Sequence, residues 1–291
     1  MSLRRFRSGE LQLAYRLVNS GAQRRGLRSL RGQAQGGQRG QTRGRIPGSV
    51  PLVFIHGMSS FSYDWVPVAS ALGREAACLD MRGFGDSDWS GDYSVPAMAG
   101  DIGALLDHLG WEKAIVVGHS MGARIACYFA SRRPRRVAGL ALVDYAPEYA
   151  SEGVKRAAEL VAAVPDVFPS VDAAMAHFKA ARERRVRFAA YLIKVEGGYA
   201  VKRDTWFRDQ ARRLLAAGAP AKPRVDMWKA LARLRMPTLV IRGTRSALFA
   251  AETVAKVKAA NPLVRVAEVD AGHDVAGENI AGLVAALRGF V

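Results

Sequence analysis

The chain has 291 residues, 49% of them hydrophobic, which is enough for one large domain with a sizeable core that needs no disulfide or metal. Its formal charge of +17 is uneven, because residues 1–50 carry +10, residues 145–236 carry +8 and the remainder is nearly neutral. No window approaches the roughly 18 continuous apolar residues of a membrane span, and the basic N-terminus lacks the apolar stretch of a signal peptide. We therefore expect a cytoplasmic protein without a membrane span.

An arginine-rich segment separates the first two predicted strands, Leu11–Val18 and Pro51–Ile55. Residues 21–50 contain seven arginines, no acidic residue and no aromatic residue. Such a segment cannot bury enough apolar surface to offset the entropy lost on ordering, so we expect a disordered insertion. Arginines can also bind the phosphates of a nucleic acid, but without interleaved aromatic residues a nucleic-acid partner is not expected.

Beyond this segment, short apolar runs alternate with stretches of helical periodicity. The runs are continuously apolar, as in strands of a parallel sheet covered by helices on both faces. This pattern predicts a doubly wound, mostly parallel α/β sheet. The further expected strands are 76–79, 114–117, 137–143, 238–242 and 265–269, and the expected helices are 98–109, 123–130 and 280–287.

The α/β pattern is interrupted between residues 145 and 236, where the segments are helical, basic and rich in aromatic residues. The simplest interpretation is an inserted helical cap over a core formed by residues 1–144 and 237–291. Four of its arginines either steer an anionic substrate or form a solvated helix face, and the second interpretation is favoured. They are Arg182, Arg184, Arg185 and Arg187.

Residues 115–122 read Ile-Val-Val-Gly-His-Ser-Met-Gly, an apolar run that ends in Gly-x-Ser-x-Gly. This motif, between a strand and an apolar helix, presents a serine nucleophile on a strained turn whose glycines allow close approach. Ser120 is therefore the predicted nucleophile.

Four motifs follow one another along the chain: His56-Gly57, the Asp80-x-Arg82-Gly83-x-Gly85-x-Ser87 loop, the turn at Ser120, and Gly272-His273. Together and in this order they resemble the motifs of the α/β-hydrolase superfamily. The resemblance implies an α/β-hydrolase fold in which His273 takes the proton of Ser120 and an acidic residue orients the imidazole. It also implies that the backbone N–H groups of Met58 and Met121 bind the oxyanion. Asp80, Arg82 and Ser87 are expected to support their loop, His56 to shape the oxyanion loop, and His119 to have no chemical role.

The acidic residue departs from the family pattern. Relatives usually carry it after the strand at 238–242, where this chain has Ser246 and Ala247 and no carboxylate. Asp144 follows the strand after the nucleophile helix, so we expect it to orient His273, and we expect Ser246 to contribute little. Asp144 could instead begin the cap. Glu252, Asp270 and Asp274 are the remaining candidates.

The predicted function is that of a cofactor-free hydrolase that cleaves an ester, thioester, lactone or activated C–C bond of a small-molecule acyl substrate. A hydrolase of this kind is expected to need no cofactor. No metal is expected either, because Cys78 and Cys127 lack the paired spacing of a zinc or redox site. Two alternatives remain, a non-hydrolytic enzyme of the same fold, such as a cofactor-independent dioxygenase or lyase, and a non-catalytic binding protein. The oligomeric state is not predicted.

Overall fold

The computed structural model describes residues 2–19, 50–218 and 225–291. The predicted insertion at 21–50 falls, except for Val50, outside the described residues. The strands are β1 Ser2–Ser8, β2 Leu11–Val18, β3 Leu52–Ile55, β4 Ala76–Leu79, β5 Ala114–His119, β6 Val137–Val143, β7 Leu192–Val195, β8 Gly198–Val201, β9 Thr238–Gly243 and β10 Val264–Val269. The helices are α1 Val66–Leu72, α2 Val95–His108, α3 Met121–Arg132, α4 Ser151–Ala162, α5 Val171–His177, α6 Arg185–Tyr191, α7 Thr205–Ala217, α8 Met227–Ala232, α9 Thr253–Ala260, α10 Val275–Glu278 and α11 Ile280–Arg288.

Eight of these strands form one sheet, in the order β1-β2-β4-β3-β5-β6-β9-β10. β1 pairs with β2 and β2 with β4 in antiparallel fashion, and the pairs from β4 to β10 are parallel. The predicted doubly wound, mostly parallel α/β sheet is thus confirmed. Its parallel part brings the carboxyl ends of β5, β6, β9 and β10 to one edge.

Helices cover both faces of the sheet, and alternate strand residues point to each. In β3, Val53 and Ile55 join a core cluster with α2, α3, α8 and α9, whereas Leu52 and Phe54 join a second cluster with α1 and α11. Because both faces are buried, the central strands are apolar throughout, which made them recognisable in the sequence.

Two features differ from the expected elements. β2 is not the first strand, because β1 precedes it at the sheet edge with mostly exposed residues. The inserted segment, residues 145–236, contains the β7–β8 hairpin as well as helices α4 to α8. Its limits as a separate cap remain a prediction. Among the described residues, no helix is both long and apolar enough to cross a bilayer.

Candidate active site

Ser120 lies on a tight turn between β5 and α3. Its φ of 52° and ψ of −115° are strained for a residue with a side chain. The turn needs glycine on both sides, since a Cβ at Gly118 would lie 2.5 Å from the Gly122 carbonyl oxygen and a Cβ at Gly122 would lie 2.5 Å from that of His56. The Ser120 N–H donates to the carbonyl of Val143 at 3.0 Å, which ties the turn to the end of β6.

His273 lies between Ser120 and Asp144. Its Nε2 is 2.9 Å from the Ser120 hydroxyl oxygen, and its Nδ1 is 2.6 Å from Oδ2 of Asp144. The three residues follow β5, β6 and β10, so the parallel sheet brings together positions that are up to 153 residues apart. In this arrangement the imidazole can take the proton of the serine hydroxyl while the carboxylate holds the imidazole in place.

The Asp144 carboxylate is fully buried and holds several hydrogen bonds. Oδ1 accepts from the Gly243 N–H at 2.8 Å, and Oδ2 accepts from the Ser246 hydroxyl at 2.5 Å as well as contacting His273. The loop that lacks the family's usual acid therefore supplies a serine that binds the acid from the neighbouring strand. Our expectation that Ser246 contributes little did not anticipate this contact.

The other acidic candidates lie elsewhere. Asp270 pairs with Arg245 at 3.0 Å, and Asp274 caps α10 and lies 3.6 Å from Arg184. Glu252 is exposed at the start of α9. Among the described residues, Asp144 alone of these candidates is within hydrogen-bond distance of the His273 ring.

His119 supports the backbone of His273. Its Nε2 lies 2.8 Å from the His273 carbonyl oxygen, and the two ring centroids are 4.8 Å apart. Burial, with the neighbouring charge of His273, lowers the pKa of His119 to about 4. The ring is therefore neutral at pH 7, and its Nε2–H donates to the carbonyl.

The loop after β3 lies against the nucleophile. A Cβ on Gly57 would lie 3.4 Å from the Cβ of Ser120. Nε2 of buried His56 accepts the Met81 N–H at 3.0 Å, which leaves Nδ1 to donate to the Gly57 carbonyl at 2.8 Å. His56 thus fixes the loop that leads to Met58, in keeping with the expected shaping role.

The Asp80–Ser87 loop is held by its own polar side chains. Asp80 accepts from the Ser62 N–H at 2.6 Å, and Ser87 donates to the Asp80 carbonyl at 2.6 Å. Arg82 forms two 2.7 Å hydrogen bonds with Asp101 on α2. These contacts match the expected supporting role.

A cavity of about 580 Å³ lies between the sheet edge and the inserted segment. Ser120, His273, Met58 and Met121 line it, together with apolar side chains from α4 and α7. A second, larger cleft of about 1220 Å³ lies over α2 and the end of α3 and contains none of the predicted site residues. The cavity at Ser120 is therefore the candidate substrate site.

The arginines proposed to steer a substrate are largely paired. Arg187 donates to both Asp64 oxygens at 2.8 and 2.7 Å, and Arg185 pairs with Asp172. Burial would raise the pKa of Asp64, but the hydrogen bonds and charge of Arg187 outweigh burial and lower that pKa. Three of the four arginines therefore have a carboxylate partner, which reduces the positive charge that they can offer for steering.

Comparison with known proteins identifies the family. The model of the family described as alpha/beta hydrolase fold matches residues 50–279. The chain belongs to the α/β-hydrolase family. It is 31% identical over 222 residues to 2-(acetamidomethylene)succinate hydrolase of Mesorhizobium japonicum, covering 75% of this chain and 79% of that protein. It is 30% identical over 245 residues to 3-hydroxybutyrate-oligomer hydrolase of Cupriavidus necator, covering 76% and 82%.

The fold agrees with this membership. A crystal structure of E-2-(acetamidomethylene)succinate hydrolase superposes with a TM-score of 0.79 at 25% identity, covering 99% of this chain and 98% of that one. The predicted α/β-hydrolase fold is confirmed, and the named relatives are hydrolases. A non-catalytic binding protein is thereby disfavoured.

Four residues of the site were not predicted to have a role in it. Ser246 binds the acid, His119 holds the His273 backbone, and Arg124 and Tyr149 line the cavity. Only Arg124 carried a sequence signal, because it lies one helical turn after Ser120 and side chains spaced by four share a helix face.

Proposed function

We propose that the protein is a serine hydrolase that cleaves an ester, thioester, lactone or activated C–C bond in a small acyl compound. The observation that carries this proposal is the hydrogen-bonded row from the Ser120 hydroxyl through His273 to Asp144, which opens into a cavity large enough for a small molecule. Ser120 is the proposed nucleophile, His273 the base and Asp144 the residue that orients the imidazole.

In the first half of the reaction, Ser120 Oγ attacks the carbonyl carbon while His273 Nε2 takes the hydroxyl proton. Asp144 holds the Nδ1–H tautomer and balances the imidazolium charge. The leaving group departs with that proton. In the second half, His273 activates water, which attacks the acyl-enzyme, releases the acid and restores the Ser120 hydroxyl.

The developing oxyanion needs hydrogen-bond donors, and we assign this role to the N–H groups of Met58 and Met121. Met121 is the first residue of α3, where backbone N–H groups lack intrahelical acceptors and the helix dipole favours negative charge. Met58 lies on the loop that Gly57 brings against Ser120. Both residues line the cavity.

The relatives support hydrolytic chemistry at this site. They are named as hydrolases of 2-(acetamidomethylene)succinate and of 3-hydroxybutyrate oligomers. The two relatives are named for different substrates, so the comparison supports hydrolysis as the reaction type but does not indicate which substrate this protein hydrolyses.

The test is hydrolysis of a panel of 4-nitrophenyl esters with acyl chains of two to eight carbons. Ser120→Ala is expected to lower kcat by about 10⁴ or more, because no other nucleophile is placed at the carbonyl. The matched control is Ser131→Ala, the same substitution at the far end of α3, which should keep wild-type kcat. Ordinary turnover by Ser120→Ala would contradict the proposal.

A further inference from the structure

Buried polar atoms without a partner lie at and near the cavity wall, which Arg124 and Tyr149 line. Arg124 Nε and the hydroxyls of Tyr145 and Tyr149 are buried and have no hydrogen-bond partner among the described residues. Burial raises the pKa of both tyrosines, so each hydroxyl is a donor at neutral pH. Arg124 and Tyr149 both line the cavity, and the rings of Tyr145 and Tyr149 pack edge to face with their centroids 5.7 Å apart. Buried donors are normally paired, so this cluster lacks an acceptor.

The charges around the cavity point to a negatively charged acceptor. Three arginines and two aspartates line it. Arg187 is paired with Asp64, and Arg184 lies 3.6 Å from Asp274. The Arg124 guanidinium forms no ion pair within the described parts of the chain. Of the three arginines that line the cavity, Arg124 is therefore the one without a carboxylate partner among the described residues, and its charge is available to an anion.

The position of this charge links it to the nucleophile. The Arg124 N–H donates to the Ser120 carbonyl at 3.0 Å, one turn along α3, so the two side chains start on the same side of the helix. The buried Tyr149 hydroxyl lies beside Ser120 without forming a hydrogen bond of ordinary geometry with it. An anion held by both groups would therefore sit near the scissile bond.

We propose that Arg124 and the Tyr149 hydroxyl bind a carboxylate of the substrate, so that the preferred acyl compound carries a free carboxyl group. A guanidinium presents paired N–H donors that match the two oxygens of a carboxylate, and charge-assisted hydrogen bonds are strongest away from water. A single uncompensated charge fits a carboxylate better than a doubly charged phosphate. The inference rests on the proposed function for the reaction at Ser120, but its binding step can be measured separately.

The kinetic test compares two esters that differ in one charge. The 4-nitrophenyl monoesters of adipic, pimelic and suberic acids are assayed against their methyl-capped diesters, with spontaneous hydrolysis subtracted. For the best chain length, we expect kcat/KM of the free acid to exceed that of its methyl ester at least about tenfold. Arg124→Met should lower this ratio by about tenfold or more, and Tyr149→Phe should lower it several-fold.

Two controls make the ratio decisive. Arg132→Met removes the same charge from the exposed end of α3 and should keep the wild-type ratio. Because both esters are measured on the same preparation, a loss of folded enzyme cancels from the ratio. An unchanged ratio in Arg124→Met, or an equal fall in Arg132→Met, would overturn the proposal.

A binding test separates this inference from the proposed reaction. Calorimetry on Ser120→Ala measures monomethyl adipate against dimethyl adipate, with and without Arg124→Met. Tighter binding of the monoacid that depends on Arg124 supports the carboxylate site even if no ester is hydrolysed by the wild-type protein. Equal binding of the two compounds overturns the proposal. Methyl phosphate is measured in the same way, and the proposal is also overturned if methyl phosphate binds more tightly than the monoacid and its binding depends on Arg124.

Discussion

Two clusters of polar residues at the cavity differ in how their hydrogen-bonding groups are satisfied. Around His273, the imidazole contacts Ser120 and Asp144, and Asp144 also accepts hydrogen bonds from Gly243 and Ser246. Around Arg124, buried donors have no acceptor among the described residues. The cluster around His273 is preorganised before any substrate arrives, whereas we propose that a ligand completes the cluster around Arg124. Removing a partner should therefore be costly in the His273 cluster.

The largest effect is expected at Asp144. Asp144→Asn should lower kcat by about 10³ to 10⁴ with little loss of stability, because the imidazole loses both its tautomer and its counter-charge, as in serine proteases. Steady-state kinetics measures this effect, and Asp270→Asn, an exposed aspartate near His273, is the matched control. A near-normal kcat in Asp144→Asn would remove Asp144 from the mechanism.

A compensating carboxylate tests the same assignment. The new carboxylate could be placed at Ala247 or at Ser246 of the loop after β9. Ala247 is exposed, whereas the Ser246 hydroxyl already contacts Asp144, so Ser246 is the better position for the new carboxylate. Adding Ser246→Asp to Asp144→Asn should restore part of kcat. No recovery, with the double variant folded, would mean that the loop cannot reach the imidazole.

The next effect concerns the tie between the inserted segment and the loop that carries Met58. Arg187→Met should lower the free energy of unfolding by about 3 to 5 kcal/mol, because it leaves the Asp64 carboxylate buried and uncompensated. Arg185→Met breaks an exposed pair and should cost less than about 1 kcal/mol. Urea denaturation measures both, and equal losses would show that the buried pair has no special weight.

The third prediction concerns pH. Since burial and the charge of His273 lower the pKa of His119 to about 4, the unfolded chain takes up a proton near pH 6.5 that the folded chain takes up only near pH 4. The free energy of unfolding should therefore fall by about 2 to 3 kcal/mol as the pH is lowered from 6.5 to 4. Above pH 7, His119 is neutral in both states and should not make the stability depend on pH. In His119→Gln, whose amide can still donate to the His273 carbonyl, this part of the pH dependence should vanish. Identical pH profiles for the two proteins would refute the prediction.

The smallest effect is expected at Ser246. Ser246→Ala removes one of the hydrogen bonds to Asp144 and should lower kcat about tenfold. Ser246→Thr retains the hydroxyl and should retain most of kcat. If alanine and threonine behaved alike, the hydroxyl would have no part in holding Asp144.

The sequence predicted those parts of the molecule that depend on local pattern. The central strands are apolar throughout because both faces are buried, so β3 to β6 were located closely. The turn at Ser120 was predicted from its two glycines, and Asp144 from its position after β6. Strand β1 was missed because an edge strand with exposed residues lacks that apolar run.

The rest depends on contacts between distant segments. Ser246 and Asp144 are 102 residues apart, and nothing local to Ser246 indicates its partner. The contact of His119 with His273 could not be predicted either, because its partner is a backbone carbonyl, which any residue supplies. The lack of a partner for Arg124 is a property of the whole cavity, so it is visible only after folding.

The most direct test of the central claim is covalent labelling of the native protein with a fluorophosphonate, followed by mass spectrometry of its peptides. The account predicts a single adduct on Ser120, lost on prior unfolding and strongly slowed in His273→Ala, because the base must take the serine proton for attack to occur. A native protein that hydrolyses esters without labelling Ser120, or that labels equally fast without His273, would contradict it. Absence of both label and hydrolysis would instead favour a non-hydrolytic enzyme on this fold.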